Sequence, residues 1–165
     1  MIIAAYAGTG KTTLATMYPD KVTDFVCMPY KYYLASEIDS SEAGKGNPDN
    51  VMREDWPYNY VEAIKTTLTE SKTLLIPSDS RVLAILRHEG IPYTLCYPRR
   101  DSKDFYRQRL INRGNTEDFL SIFIDGWEWF LNSLETVEAD RRIVLETYQF
   151  LSDIIDFGEE QCVKA

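Results

Sequence analysis

The first twenty residues, MIIAAYAGTGKTTLATMYPD, carry the feature that most narrows what this chain can become. A short apolar run from Met1 to Ala5 passes directly into a Gly-rich stretch, and a helix-period segment follows from Lys11 to Met17. Gly, four residues, then Gly-Lys-Ser/Thr is the spacing of a phosphate-binding loop. The octet Ala5 to Thr12 meets it everywhere except the first position, where Ala stands for Gly. Small residues let the successive backbone N–H groups from Gly8 through Thr9 and Gly10 to Thr12 curl around phosphate oxygens. The helix opening at Lys11 would add the positive end of its dipole. Lys11 would reach the β- and γ-phosphates, the Thr12 hydroxyl would ligate Mg²⁺, and Thr13 would support the first helical turn.

A strand–loop–helix unit of this kind belongs to a parallel sheet, and the rest of the chain reads accordingly. Strand-like runs occur at Met1 to Ala5, Val22 to Val26, Thr73 to Ile76, Tyr93 to Tyr97 and Arg142 to Leu145. Helical periodicity fills Lys11 to Met17, Tyr58 to Ser71, Arg81 to Glu89, Lys103 to Arg113, Glu117 to Glu135 and Tyr148 to Ile155. Five strands separated by helices predict a single three-layer α/β/α domain over residues 1–165 with a five-stranded parallel sheet. At 165 residues and 44% hydrophobic content, one such domain is what the length supports. Asp39 to Trp56, rich in Ser, Gly, Asn and Asp, reads as an excursion from it.

Composition removes several classes of function. The formal charge is -8, so a phosphate-tracking nucleic-acid surface is not expected and any anion site must be local. The three cysteines, Cys27, Cys96 and Cys162, form no CxxC pair and there is one histidine, which argues against a zinc site. No apolar stretch approaches the roughly 18–20 residues of a membrane helix, and no signal-peptide pattern opens the chain. A cytoplasmic protein without membrane or nucleic-acid partners is the expectation.

In the order of its elements the chain resembles the phosphate-loop kinases of the nucleoside monophosphate kinase type, the adenylate- and guanylate-kinase-like enzymes, and in particular their short phage- and bacterium-encoded members. The residues that carry the resemblance are the phosphate loop, the acidic residue Asp24 in VTDFV, the excursion, and the arginine-bearing stretch PRRDSKDFYRQRLINRGN at residues 98–115. It implies a P-loop NTPase fold with strand order 2-3-1-4-5, ATP and Mg²⁺ as cofactors, and transfer of the γ-phosphate to a nucleoside monophosphate or similar small acceptor. It also implies that residues 98–115 act as a lid and residues 29–60 as the acceptor side.

On a helix, Tyr106, Arg109 and Arg113 fall at i, i+3 and i+7, so two guanidinium groups share one face, with Arg99, Arg100 and Arg107 as lesser candidates. Forked donors of this kind stabilise the charge on a transferring phosphoryl group. Asp79, after TLLIPS, is a candidate metal ligand and equally a helix cap; Asp24 is a candidate for the metal or the acceptor. Among the rings and cations at residues 29–60, Tyr30 and Tyr60 could stack on a base and Lys31 or Arg53 could hold an acceptor phosphate. Phe119, Ile122, Phe123, Trp127, Phe130, Leu131 and Leu134 repeat at helical spacing and read as core. Two other readings fit the same residues: a kinase of a nucleoside or other small hydroxyl acceptor, and a non-catalytic ATP-binding module for a protein partner.

Overall fold

The computed structural model of the chain describes residues 1–33, 51–68 and 72–157. Its elements in chain order are β1 (Ile2–Ala5), α1 (Lys11–Met17), β2 (Val22–Asp24), α2 (Met28–Lys31), β3 (Tyr32–Tyr33), β4 (Val51–Met52), α3 (Tyr58–Thr67), β5 (Thr73–Pro77), α4 (Ser80–His88), β6 (Thr94–Pro98), α5 (Lys103–Asn112), α6 (Glu117–Leu120), α7 (Trp127–Thr136) and β7 (Arg141–Leu145). Most of the Asp39 to Trp56 excursion lies outside the described residues; its end contributes β4 and the turn into α3.

Five strands form one all-parallel sheet in the order β2-β5-β1-β6-β7. Numbered along the chain this is not 2-3-1-4-5. The reason is that β3 and β4, which the sequence patterns do not reveal, pair with each other antiparallel outside the main sheet and take two of the numbers. With those two set aside, the first strand-like run of the sequence lies at the centre, the third and fourth flank it, and the second and fifth form the edges. The central strands β1 (IIAA) and β5 (TLLI) are buried along their whole apolar runs, as strands covered on both faces must be.

Alternation along the strands divides the core in two. Ile2, Ala4 and Tyr6, with Leu74, Ile76, Leu95 and Tyr97, face a large cluster completed by α3, α4, α5 and α7. Ile3, Ala5, Leu75 and Cys96 face a smaller one completed by Leu14 of α1 and Leu151. Helical layers thus cover the two faces unequally. Among the described residues no helix is long and apolar enough to cross a membrane.

Two helices differ from the sequence expectation. The Glu117 to Glu135 stretch is not one helix: α6 ends at Leu120, residues Ser121–Asp125 form a π-helical turn, and α7 begins at Trp127. The Gly126 N–H closes that wide turn on the Ser121 carbonyl at 3.2 Å, and a Cβ at Gly126 would collide with the Ile122 carbonyl oxygen. Only glycine fits there, and apolar periodicity does not report that constraint. The Tyr148 to Ile155 stretch forms a turn and a short 3₁₀ segment, Leu151–Asp153, because the Leu151 N–H donates to the Thr9 carbonyl at 2.9 Å and ties this segment to the loop. The helix expected over Tyr58 to Ser71 ends at Thr67, and residues 69–71 of that range lie outside the described residues; the other strand and helix ends differ by a residue or two, as when β2 ends at Asp24 rather than Val26.

Candidate phosphate-binding cleft

The Gly-rich stretch connects β1 to α1 at the carboxyl end of the central strand, where open parallel sheets place their ligand sites. Gly8 and Gly10 lie in the left-handed region, at φ 77° and 91°. Side chains there would also be crowded: a Cβ at Gly8 would approach Leu110 to 3.3 Å, and one at Gly10 would approach Phe150 to 3.1 Å. Thr9 is fully buried and its hydroxyl donates to the Tyr6 carbonyl at 2.8 Å, so this residue holds the loop's shape and does not face the cleft.

Lys11 folds back into the loop. Its Nζ donates to the carbonyls of Ala5 at 3.0 Å and Tyr6 at 3.1 Å. Burial lowers its pKa from the ordinary value, Asp24 opposes that shift and Arg113 reinforces it. A cation held only by neutral carbonyls gains charge-assisted bonds from any anion entering the loop. Beside it the Thr12 hydroxyl donates to Asp24 Oδ2 at 2.6 Å, joining the start of α1 to the end of β2.

Arg109 reaches over the loop from α5. Its Nη1 donates to the Gly8 carbonyl at 2.8 Å, and its guanidinium lies 3.9 Å from the Phe150 ring centroid and 4.5 Å from that of Tyr106. Nε and Nη2 are buried without an acceptor of good geometry. Burial lowers the pKa of this group as well. Arg113, one turn on, is exposed at the end of the helix and faces the same space.

These groups border a cleft of about 710 Å³, a volume typical of small-molecule sites. Gly8, Gly10, Lys11, Thr12 and Thr13 form its floor, Arg109 and Arg113 overhang it, and Asp24, Asp79 and Lys31 stand at its β2–β5 end. The remaining wall is largely apolar, with Phe119, Ile122 and Phe123 from α6 and the π turn and Phe150 beyond β7, beside the carboxylate of Asp118. Asp79 is heavily engaged. Its carboxylate accepts from the Arg81 backbone N–H at 3.0 Å, caps α4, and pairs with Arg81 at 3.2 Å and Lys31 at 3.6 Å. Burial works to raise its pKa, but the hydrogen bonds and charges of Arg81 and Lys31 outweigh it and hold the carboxyl below its usual value.

Several sequence candidates lie elsewhere. Tyr60 is fully buried in the core and its hydroxyl donates to the Phe25 carbonyl, so it offers no face to a ligand. Tyr30 packs against Phe25 and Tyr60, away from the cleft wall. Arg53 is paired with Asp55 at 3.0 Å over the Tyr33 ring. Arg99 binds Asp101 and Glu146, Arg100 binds Glu128 and Glu135, and Arg107 faces Asp125 at 3.9 Å. Conversely, the sequence reading overlooks Phe150, and of the residues it takes as core, Phe119 and Phe123 do pack against the core while also bordering the cleft, as Ile122 does. Ile122 at 51% exposure is the clearest departure, and its signal was the glycine four residues later.

Among the described residues no three His, Cys, Asp or Glu side chains converge as a metal cage. Mg²⁺ does not need one, since it keeps several waters and takes one or two protein oxygens alongside phosphates. The Thr12 and Asp24 oxygens, already in contact, fit that mode. Neither protein-family models nor curated proteins match the chain.

Proposed function

We propose that this cleft binds Mg²⁺-ATP and transfers the γ-phosphoryl group to a small acceptor of nucleoside or nucleotide size, as an enzyme of the P-loop kinase type. The observation that carries the reading is the Lys11 ammonium, held in the Gly8–Gly10 loop by carbonyl oxygens alone, directly beside the Thr12–Asp24 pair. Loop amides and Lys11 would bind the β- and γ-phosphates. When bound, Mg²⁺ neutralises charge between the phosphates, and Thr12 with Asp24 would hold it; Asp79, already committed to α4 and Lys31, is the weaker ligand. Arg109 would turn its two spare donors toward the transferring group, and Arg113 would approach from the same helix. Phe150 and the apolar wall would keep water from the reacting centre.

The test is ADP formation from Mg²⁺-ATP with the full chain across a panel of ribo- and deoxynucleosides and their monophosphates, with Lys11→Ala as control. Acceptor-dependent turnover that vanishes in the variant is expected. ATP binding with no acceptor raising turnover above background would sink the reading.

A further inference from the structure

One wall of the cleft departs from the helix pattern around it. Apolar periodicity would bury Ile122, yet the π turn closed at Gly126 leaves it 51% exposed and bordering the cleft. The side chains around it are fixed. Phe119 lies 4.5 Å from Phe123 and Phe123 stacks on Phe130 at 5.3 Å, centroid to centroid, and all three pack against the large core cluster. Ile122 therefore projects from a rigid aromatic base, and single π turns inside helices concentrate where a side chain must be re-aimed for function.

The same wall is fastened to the phosphate loop. Tyr6, the second residue of the loop octet, is fully buried, and its hydroxyl donates to the Phe123 carbonyl, inside the π turn, at 2.6 Å. Its own carbonyl accepts from Lys11 Nζ at 3.1 Å and from the Thr9 hydroxyl at 2.8 Å, while its N–H donates to the Cys96 carbonyl of β6 at 3.0 Å. One residue thus holds both the lysine of the loop and the turn from which Ile122 projects. The two sides of the loop also differ. Leu14 of α1 and Leu151, next to Phe150, belong to the smaller core cluster, whereas Tyr6 and the wall belong to the larger one on the other face of the sheet. A triphosphate held at the start of α1 leaves the wall side of the cleft to the second substrate.

We infer that Ile122 selects the acceptor by meeting a ring or aliphatic face of it, and that Tyr6 is a positioning residue whose hydroxyl sets how far that face stands from the loop. This rests on the phosphotransferase reading above. Apolar contact is non-directional and proportional to the area covered, so a shorter side chain at position 122 leaves part of the acceptor unsupported and a larger one closes the space it occupies. Loss of the Tyr6 hydroxyl acts differently: it leaves the contact in place and frees the wall to shift against the loop, which misaligns the acceptor oxygen with the γ-phosphorus.

The test follows ADP release from Mg²⁺-ATP by the full chain over the panel of ribo- and deoxynucleosides and their monophosphates, with a non-hydrolysable ATP analogue titrated alone to give donor affinity. Ile122→Ala, at an exposed position, should raise the KM of the best acceptor by about tenfold, and Ile122→Trp should change which member of the panel is used best. Tyr6→Phe keeps the buried ring and loses the bond to Phe123, and kcat should fall by about tenfold or more. In all three variants the affinity for the analogue should match the parent's. Parental constants in Ile122→Ala overturn the selecting role of Ile122, and parental constants in Tyr6→Phe, with only the denaturation midpoint moved, overturn the positioning role of Tyr6; either leaves the phosphotransferase reading standing. A loss of analogue affinity as large as the rise in acceptor KM assigns the wall to the donor and overturns the inference in the same way. A parent that binds the analogue and turns over no acceptor overturns both.

Discussion

Two neighbouring strands, β1 and β5, end at the same edge of the sheet and each turns into a helix, yet the two turns are built on opposite principles. After β5, Pro77-Ser78-Asp79 closes on itself: the Asp79 carboxylate caps α4 and is in turn covered by Arg81 and Lys31. After β1, the helix start at Gly10 has no side-chain cap and no acidic residue in its first turn, and Lys11 there is folded over backbone carbonyls. A carboxylate at the first turn would have satisfied the same orphan N–H groups but repelled a phosphate. One turn is closed by its own side chains; the other leaves its helix start uncapped, and it is this difference on which the proposed phosphate site rests.

The contrast breaks most sharply at Lys11. Lys11→Ala should lower ATP-dependent turnover by about 10²–10³-fold, read as ADP release, while thermal stability stays near that of the parent. A variant that keeps full turnover would mean the β1 turn is only structural. Arg109→Ala should reduce turnover by about a hundredfold with ATP affinity largely retained, measured by titration with the non-hydrolysable analogue; Arg109→Lys should restore little, because the stack on Phe150 and the fork are both lost.

Asp79→Ala should cost about 0.5–2 kcal/mol in chemical denaturation through the lost cap, and Asp79→Asn much less. If Asp79→Asn instead abolishes Mg²⁺-dependent turnover, this turn too belongs to the metal site and the contrast fails. The pH dependence has a defined sign. Because the folded carboxyl titrates below its unfolded value of about 3.9, its contribution is fully present above that pH and is lost as pH falls through the folded value. Denaturation of the parent and Asp79→Ala at a series of acidic pH values should therefore converge. The smallest effect belongs to Tyr60→Phe, which removes the hydroxyl bound to the Phe25 carbonyl. It should cost about 1 kcal/mol in stability and leave the acceptor's KM unchanged, whereas a raised KM would return Tyr60 to the site.

Much of this architecture was legible in the chain because it rests on local rules. The spacing of Gly8, Gly10, Lys11 and Thr12 specifies a loop whose backbone only glycine can follow, and continuous apolar runs such as IIAA and TLLI mark strands buried on both faces. The pairing of Arg109 with Arg113 along one helix face follows from 3.6-residue periodicity alone, and both do meet at the cleft. Such features depend on neighbours a few residues apart, which a sequence states directly.

Tertiary packing settled the rest, because it depends on which long-range partner a side chain meets. Tyr60 and Phe123 are both aromatic residues on helical patterns, yet one is sealed in the core by a bond to Phe25 and the other borders the cleft. Gly126 shows why: by admitting one wide turn it rotates Ile122 out of the buried stripe and splits a helix that apolar periodicity runs together. Phe150 reaches the loop only because the Leu151 N–H finds the Thr9 carbonyl, 142 positions away along the chain. Asp24 and Asp79 look equivalent as letters. The fold separates them by pairing Asp79 directly with an arginine and a lysine, whereas Asp24 accepts from the Thr12 hydroxyl and acts on Lys11 without a direct ion pair, and the energy of a carboxylate is set by the charges within a few ångströms of it.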